Sequence, residues 1–261
     1  MAPIISSLGS IVKQFGVSGD SSRSRRFNAS GGFLNAIEPG NGYKYHLFTT
    51  SGNFVVNSGS SNIEILVVGG GGGGGSSGGG GGGSGSVVYH PSFPVSSGTY
   101  AITIGSGGFG GANASDPLLP NYATPRRNGN QTSFSTLLIA TGGGAGSAMD
   151  EAWSPIGSGQ VGGSGGGAGR WYGGGTTSGG TASNPNTNPG ATEYGNPGGS
   201  TVPANGQDQI GGGGGGAGGA GTPWPGTPGT GGTGGNGQPF PQFAAPLLPG
   251  MPAPWVTAVG P

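Results

Sequence analysis

The chain contains no cysteine. Disulfide staples, thiolate metal sites and cysteine nucleophiles are excluded together, and the redox compartment stays open. Charge is almost as scarce: eight basic and eight acidic residues make up 6% of the chain, against a usual share of about 25%. So few charges cannot assemble a broad electrostatic footprint for nucleic acid or for a membrane surface. No stretch approaches ~20 consecutive apolar residues, so no membrane insertion is expected. The opening MAPIISSLGSIVKQFGV lacks the charged start and long apolar run of a secretory signal peptide, which leads to an expectation of cytoplasmic synthesis.

Strong hydrophobes are also few. Leu, Ile, Val and Phe number 44 of 261 residues, about 17%, below the ~20% typical of chains that bury a core. Gly and Pro are abundant instead, 70 and 22 residues. That balance reads as disorder, but a net charge of zero is the opposite of what keeps a chain open in water. Ordering so much glycine costs roughly 1–2 kcal/mol of backbone entropy per residue, so an ordered chain must recover that through packing with identical neighbours or a larger assembly.

The hydrophobes are unevenly placed, with 34 of the 44 before residue 142. Four segments follow. Residues 1–42 form an arm in which Ile4, Ile5, Leu8, Ile11, Val12 and Phe15 recur at roughly helical spacing ahead of Arg23, Arg25 and Arg26. The arm is either a short frayed helix on its own domain or a docking element that buries its apolar stripe on another protein. Residues 43–141 alternate with period two, as in Tyr43, Tyr45, Leu47 and Ile63, Ile65, Val67, and predict antiparallel strands. Further strands are expected at 53–57, 86–90, 99–105 and 132–141, with Asn41-Gly42, Ser51-Gly52 and Asn128-Gly129 as turn formers. Residues 142–238 are a glycine-rich region with variable loops, and 239–261 form a Pro-rich extended tail. The fold class predicted is all-β, an antiparallel sandwich or jelly-roll-like domain with very little helix.

Glycine tracts this long order in few ways. Collagen needs Gly at every third position over long stretches, and only Gly226, Gly229, Gly232 and Gly235 keep that phase. Packed polyglycine II helices suit unbroken runs such as 69–75 and 78–83, because extended three-residue turns point their N–H and C=O groups sideways to neighbouring helices.

The run YKYHLFTTSGNFVVNSGSSNIEILVVGGGGGGG, followed by GGGGGGSGSVVYHPSFPVSSGTYAITIGSGG, resembles the glycine-rich domain of tail and fibre proteins in tailed phages, especially those of marine bacteria and cyanobacteria. The later half resembles, by composition, the polyglycine II sandwich of T-even-type tail-fibre adhesins. Those resemblances imply a virion protein and, because the sequence carries no long β-helical or coiled-coil shaft, a tip, a short fibre or a particle decoration. They imply a homotrimer, an N-terminal arm held by other tail or capsid proteins, and attachment to a host surface polysaccharide or outer-membrane protein.

Catalytic readings are weak. The tract after Val67-Val68 satisfies a dinucleotide fingerprint only as any Gly run does, and it leads into a strand with no acid before Asp116. His46 and His90 have no carboxylate at triad or metal-ligand spacing and read as structural, and Asp150-Glu151 reads as a solvated loop. No enzyme activity and no cofactor are expected. Trp153, Trp171, Tyr172, Tyr194 and Trp224 lie near Gly-tract ends or in the segments joining tracts, where they either stack on a bound sugar or protein surface or cap the Gly layers against water. A host cell-surface glycine-rich protein and a non-adhesive virion protein are the competing classes.

Overall fold

The computed structural model describes residues 11–15 (backbone), 26–32, 43–76, 78–111, 127–147, 157–169, 175–183, 189–201, 210–227 and 229–243. They form an all-β fold with one short 3-10 turn, Pro241–Phe243, and no α-helix among the described residues. The eight strands are β1 (Ile11–Phe15), β2 (Asn28–Ser30), β3 (Tyr43–Leu47), β4 (Gly52–Val68), β5 (Val87–Thr103), β6 (Thr132–Phe134), β7 (Leu138–Ala140) and β8 (Thr192–Tyr194). They make one antiparallel sheet in the order β3-β1-β4-β5-β6-β7, with β2 added to β4 and β8 to β5.

The 17-residue strands β4 and β5 are the backbone of this sheet. Their register shifts between Val56 and Ser60 and again between Ile63 and Ile65. Bulges of this kind bend a ladder, and Gly59 at φ 76° supplies the left-handed residue inside the first one. The two halves of the bent ladder share one core. Phe134, fully buried, packs on Phe54 and Tyr100 from one half (6.1 and 5.2 Å between ring centroids) and on Phe93 from the other (5.7 Å). Ile63, Ile65, Val67, Val88 and Ile102 fill the remainder. Leu66, Val68, Val87 and Tyr89 face the other side, where Phe240 and Phe243 cover them.

The helical spacing read in the N-terminal arm is overturned at its end. Ile11, Val12 and Phe15 lie in β1, hydrogen-bonded between β3 and β4, because an interior position satisfies the backbone on both edges. Ile4, Ile5, Leu8, Arg23 and Arg25 lie outside the described residues, and Arg26 is exposed. The expected strands at 53–57 and 63–68 merge into β4, and those at 86–90 and 99–105 into β5. The boundary at 141/142 does not separate two bodies either, since β8 pairs with β5 and the glycine tracts from both sides of it form one bundle.

In that bundle the hydrogen bonds repeat every third residue. Gly69, Gly72 and Gly75 donate to Ser86, Gly83 and Gly80 (3.0, 2.8 and 2.9 Å). Gly80, Gly83 and Ser86 donate onward to Ser147, Gly144 and Thr141 (2.7, 2.9 and 2.9 Å), while Gly81 and Ser84 donate to Gly212 and Gly215 (both 3.0 Å). Three residues per turn with every bond sideways is the polyglycine II pattern, and no glycine in 69–75, 79–83, 142–146 or 211–216 has a positive φ. Side-chain-free backbone is compulsory here. A Cβ on Gly83 would come within 2.7 Å of the Ser164 carbonyl carbon and 2.8 Å of the Gly165 oxygen.

Candidate functional site

The direction of each tract follows from these bonds, because partner numbers fall along an antiparallel pair and rise along a parallel one. Leaving the end of β4, 69–75 runs away from the sheet and 79–86 returns to β5. Tract 141–147 runs parallel to 69–75 (Gly143 to Gly70, Gly146 to Gly73), and 162–169 runs parallel to 141–147 (Gly144 to Ser164, Ser147 to Gly167). By the same reasoning 105–111, 195–201 and 219–224 run outward, while 127–130, 157–161, 177–183, 211–216 and 230–237 return.

Six pairs of consecutive tracts therefore end at the side of the bundle far from the sheet, those flanking 76–78, 112–126, 148–156, 170–176, 202–209 and 225–229. The near end holds the sheet, the 161–162 and 217–219 turns, and the ends of the tracts at Ser183 and Pro189. A polar knot fastens the roots of the distal end. Thr177 Oγ1 donates to the Gly169 carbonyl at 2.7 Å and lies 2.7 Å from Thr201 Oγ1, which also accepts the Thr177 amide at 3.0 Å. Both threonines are buried. They tie together the tracts that flank 170–174 and 202–209. Ser200 Oγ accepts the Gly179 amide at 3.1 Å, and the Ser200 carbonyl accepts the Trp224 amide at 3.1 Å. Nothing in a Gly/Ser/Thr-rich sequence singles these hydroxyls out, because their role depends on which tracts become neighbours.

The five aromatic candidates separate. Trp153, Trp171 and Tyr172 lie outside the described residues, in segments whose flanking tracts end distally. Trp224 is also at the distal end, but it is 4% exposed and its Nε1 donates to the Thr227 carbonyl at 3.3 Å. Its ring caps the bundle and offers no open face. Tyr194 belongs to the opposite end, in β8, edge-on to Phe240 at 5.5 Å.

The perturbed titratable groups are near the sheet. His46 is fully buried, its Nδ1 donates to the Gly31 carbonyl at 2.8 Å, and its Nε2 has no partner. Burial pushes its pKa below 6.5, with the Gly31 bond opposing and Lys44 reinforcing the shift. His90 is satisfied on both nitrogens, accepting from the Ser92 amide at 3.1 Å and facing the Pro189 carbonyl at 3.3 Å. Tyr89 donates to buried Glu64 at 2.5 Å, and burial followed by that bond raises the phenol to about 12. Burial also raises Glu193, whose Oε1 lacks a partner, against a bond from Ser86. Among the described residues no group of three or more His, Cys, Asp or Glu could hold a metal ion.

A family model described as a glycine-rich domain matches residues 49–246, from the start of the long ladder to just past the segment that covers its back. No curated protein and no solved structure matches the chain. The match spans both the sheet and the bundle, and the chain belongs to the glycine-rich domain family.

Proposed function

We propose that the protein is a non-enzymatic structural component of a virus particle, a tail-fibre or adhesin-type scaffold that holds contact segments toward the host cell surface. The observation that carries this reading is that the tracts flanking 112–126, 148–156, 170–176 and 202–209 all end on the side of the bundle opposite the sheet. A bundle held by backbone bonds fixes those ends without asking anything of the sequence between them. Two of the intervening segments contain Trp153, Trp171 and Tyr172, rings suited to stacking on a surface polysaccharide or packing on an outer-membrane protein.

Replacing Trp171 and Tyr172 with Ala in the intact particle tests the reading. Adsorption to host cells should fall while particle assembly stays normal. Unchanged adsorption with normal assembly would assign the rings to packing. A second reading, a non-adhesive structural protein of the virion, draws on Trp224 and Tyr194, which pack against the chain itself.

A further inference from the structure

Two Asn-Gly pairs lie in the described tracts, Asn128-Gly129 and Asn236-Gly237. This dipeptide has a chemistry of its own, because the glycine nitrogen can attack the asparagine Cγ with no Cβ in its path. Three freedoms decide whether a given pair reacts. The side-chain amide must turn toward the backbone, the glycine N–H must be unoccupied, and the peptide joining the two residues must rotate.

Both asparagines are exposed, so exposure does not separate the pairs. Hydrogen bonds do. Asn128 is held at both ends of its side-chain amide, Nδ2 donating to the Val161 carbonyl and Oδ1 accepting the Ala145 amide, each at 2.8 Å. The Gly129 amide is occupied as well, donating to the Gly143 carbonyl at 2.9 Å. At the second pair neither the Asn236 side chain nor the Gly237 amide takes part in a hydrogen bond among the described residues. Only the Asn236 carbonyl is held, by the Gly218 amide at 2.9 Å. Rotation of that peptide therefore breaks one bond, whereas the same reaction at Asn128 must break three. Gly237 is not required by the fold either: it lacks the positive φ of Gly226 and Gly229, and a Cβ there would meet nothing within 4 Å.

We propose that Asn236 is a site of spontaneous deamidation in the folded protein, and that Asn128 is protected by its bonds. The Gly237 nitrogen loses its proton and bonds to Asn236 Cγ, ammonia leaves with that proton, and a five-membered imide closes. Water then opens the ring. Attack at Cγ yields aspartate, and attack at the main-chain carbonyl yields isoaspartate, with no change of oxidation state in either case. The product places a carboxylate in a region that carries no charged residue after Asp208. In its isoaspartate form it also adds one carbon to the backbone between the last tract and Phe240, which covers the back of the sheet. Loss of ammonia makes the change one-way, so it records the age of the molecule. The inference stands independently of any role in host attachment.

Incubation of the purified full chain in mildly alkaline buffer tests it, since the attacking amide must be deprotonated. Peptide mapping by mass spectrometry with enzymatic methylation of isoaspartate reads each site. In the folded chain Asn236 should convert at least tenfold faster than Asn128, while in urea the two should convert at similar rates. Gly237→Ala should slow conversion at Asn236 at least tenfold with an unchanged melting temperature. Equal conversion of the two sites in the folded chain overturns the proposal, as does an Asn236 that stays intact while the unfolded chain converts at both. Conversion that is as fast in Gly237→Ala as in the parent also overturns it, because the glycine nitrogen would then not be the attacking group.

Discussion

Gly83→Ala is the sharpest test of the bundle, because alanine is comfortable at polyproline-like torsions and the cost must come from contact alone. The added Cβ would sit 2.7 Å from the Ser164 carbonyl carbon, 2.8 Å from the Gly165 oxygen and nearer still to the Ser164 oxygen, whereas real Cβ atoms essentially never come within 3.0 Å of a neighbour. Those atoms are backbone, so no side chain can rotate away. Relief requires the 79–86 and 162–169 tracts to separate by about 1 Å, a shift that tightly packed interiors resist at ~1–3 kcal/mol or more.

Separation also strains the bonds on either side. The Ser164 oxygen accepts the Gly144 amide at 2.8 Å, Gly83 donates to Gly144 at 2.9 Å, and Ser84 donates to Gly215 at 3.0 Å. A buried amide left unpaired costs about 1–3 kcal/mol, so losing one bond besides the overpacking gives a destabilisation of about 2–6 kcal/mol. Against a total stability of roughly 5–15 kcal/mol, that lowers the urea midpoint by about 1–2 M. Gly234→Ala is the matched control: with its nearest neighbour at 3.8 Å it should be neutral or stabilising by ~0.4–1 kcal/mol, measured dilute. If the two substitutions shift the urea midpoint equally, the lateral packing argument fails.

Stability should fall as pH drops below about 6.5, because the folded state depresses the His46 pKa and so favours its neutral form. Urea melts of the parent and His46→Phe between pH 7.5 and 5 (about that window) check it, and the variant should lose the slope this histidine contributes. Phe243 is fully buried behind the sheet, so Phe243→Ala should cost about 3–5 kcal/mol and expose Tyr89, whose ring centroid lies 6.4 Å away. A tyrosine absorbance titration follows the second effect, since Tyr89 should then ionise below its present value of about 12.

The sheet was legible where apolar residues alternate. Ile63, Ile65 and Val67 fall in one core and Leu66 in the other, as a period of two requires. What hid the full length of β4 was the polar stretch from Asn57 to Asn62, which reads as a turn but stays in the ladder because the bulge around Gly59 absorbs the mismatch. β1 was misread because spacing among Ile4, Leu8 and Phe15 says nothing of the vacancy between β3 and β4 that Ile11–Phe15 fills. Lateral packing of the tracts could be anticipated from unbroken glycine, but their partners could not. A glycine run has no side-chain code, so whether Gly81 meets Gly212 or another residue is set by the whole bundle. The Thr177–Thr201 knot and the burial of Trp224 were invisible for the same reason.

Holding a scaffold together chiefly by backbone hydrogen bonds, with a few buried hydroxyls, has a consequence for how it tolerates change. In a side-chain core, altering a connector propagates through packed residues. Here the tracts that flank 170–176 and 202–209 are fixed by the Thr177, Thr201 and Gly169 bonds and by tract-to-tract amides such as Gly198 to Gly180 at 3.0 Å, none of which involves a residue of 170–174 or 202–209. Substitution within a distal connector should therefore leave the bundle intact, while substitution of an interior glycine should not. The sensitive positions and the presenting positions are thus separated along the chain, glycine holding the frame and the connectors between tracts free to carry aromatic, polar or charged contacts.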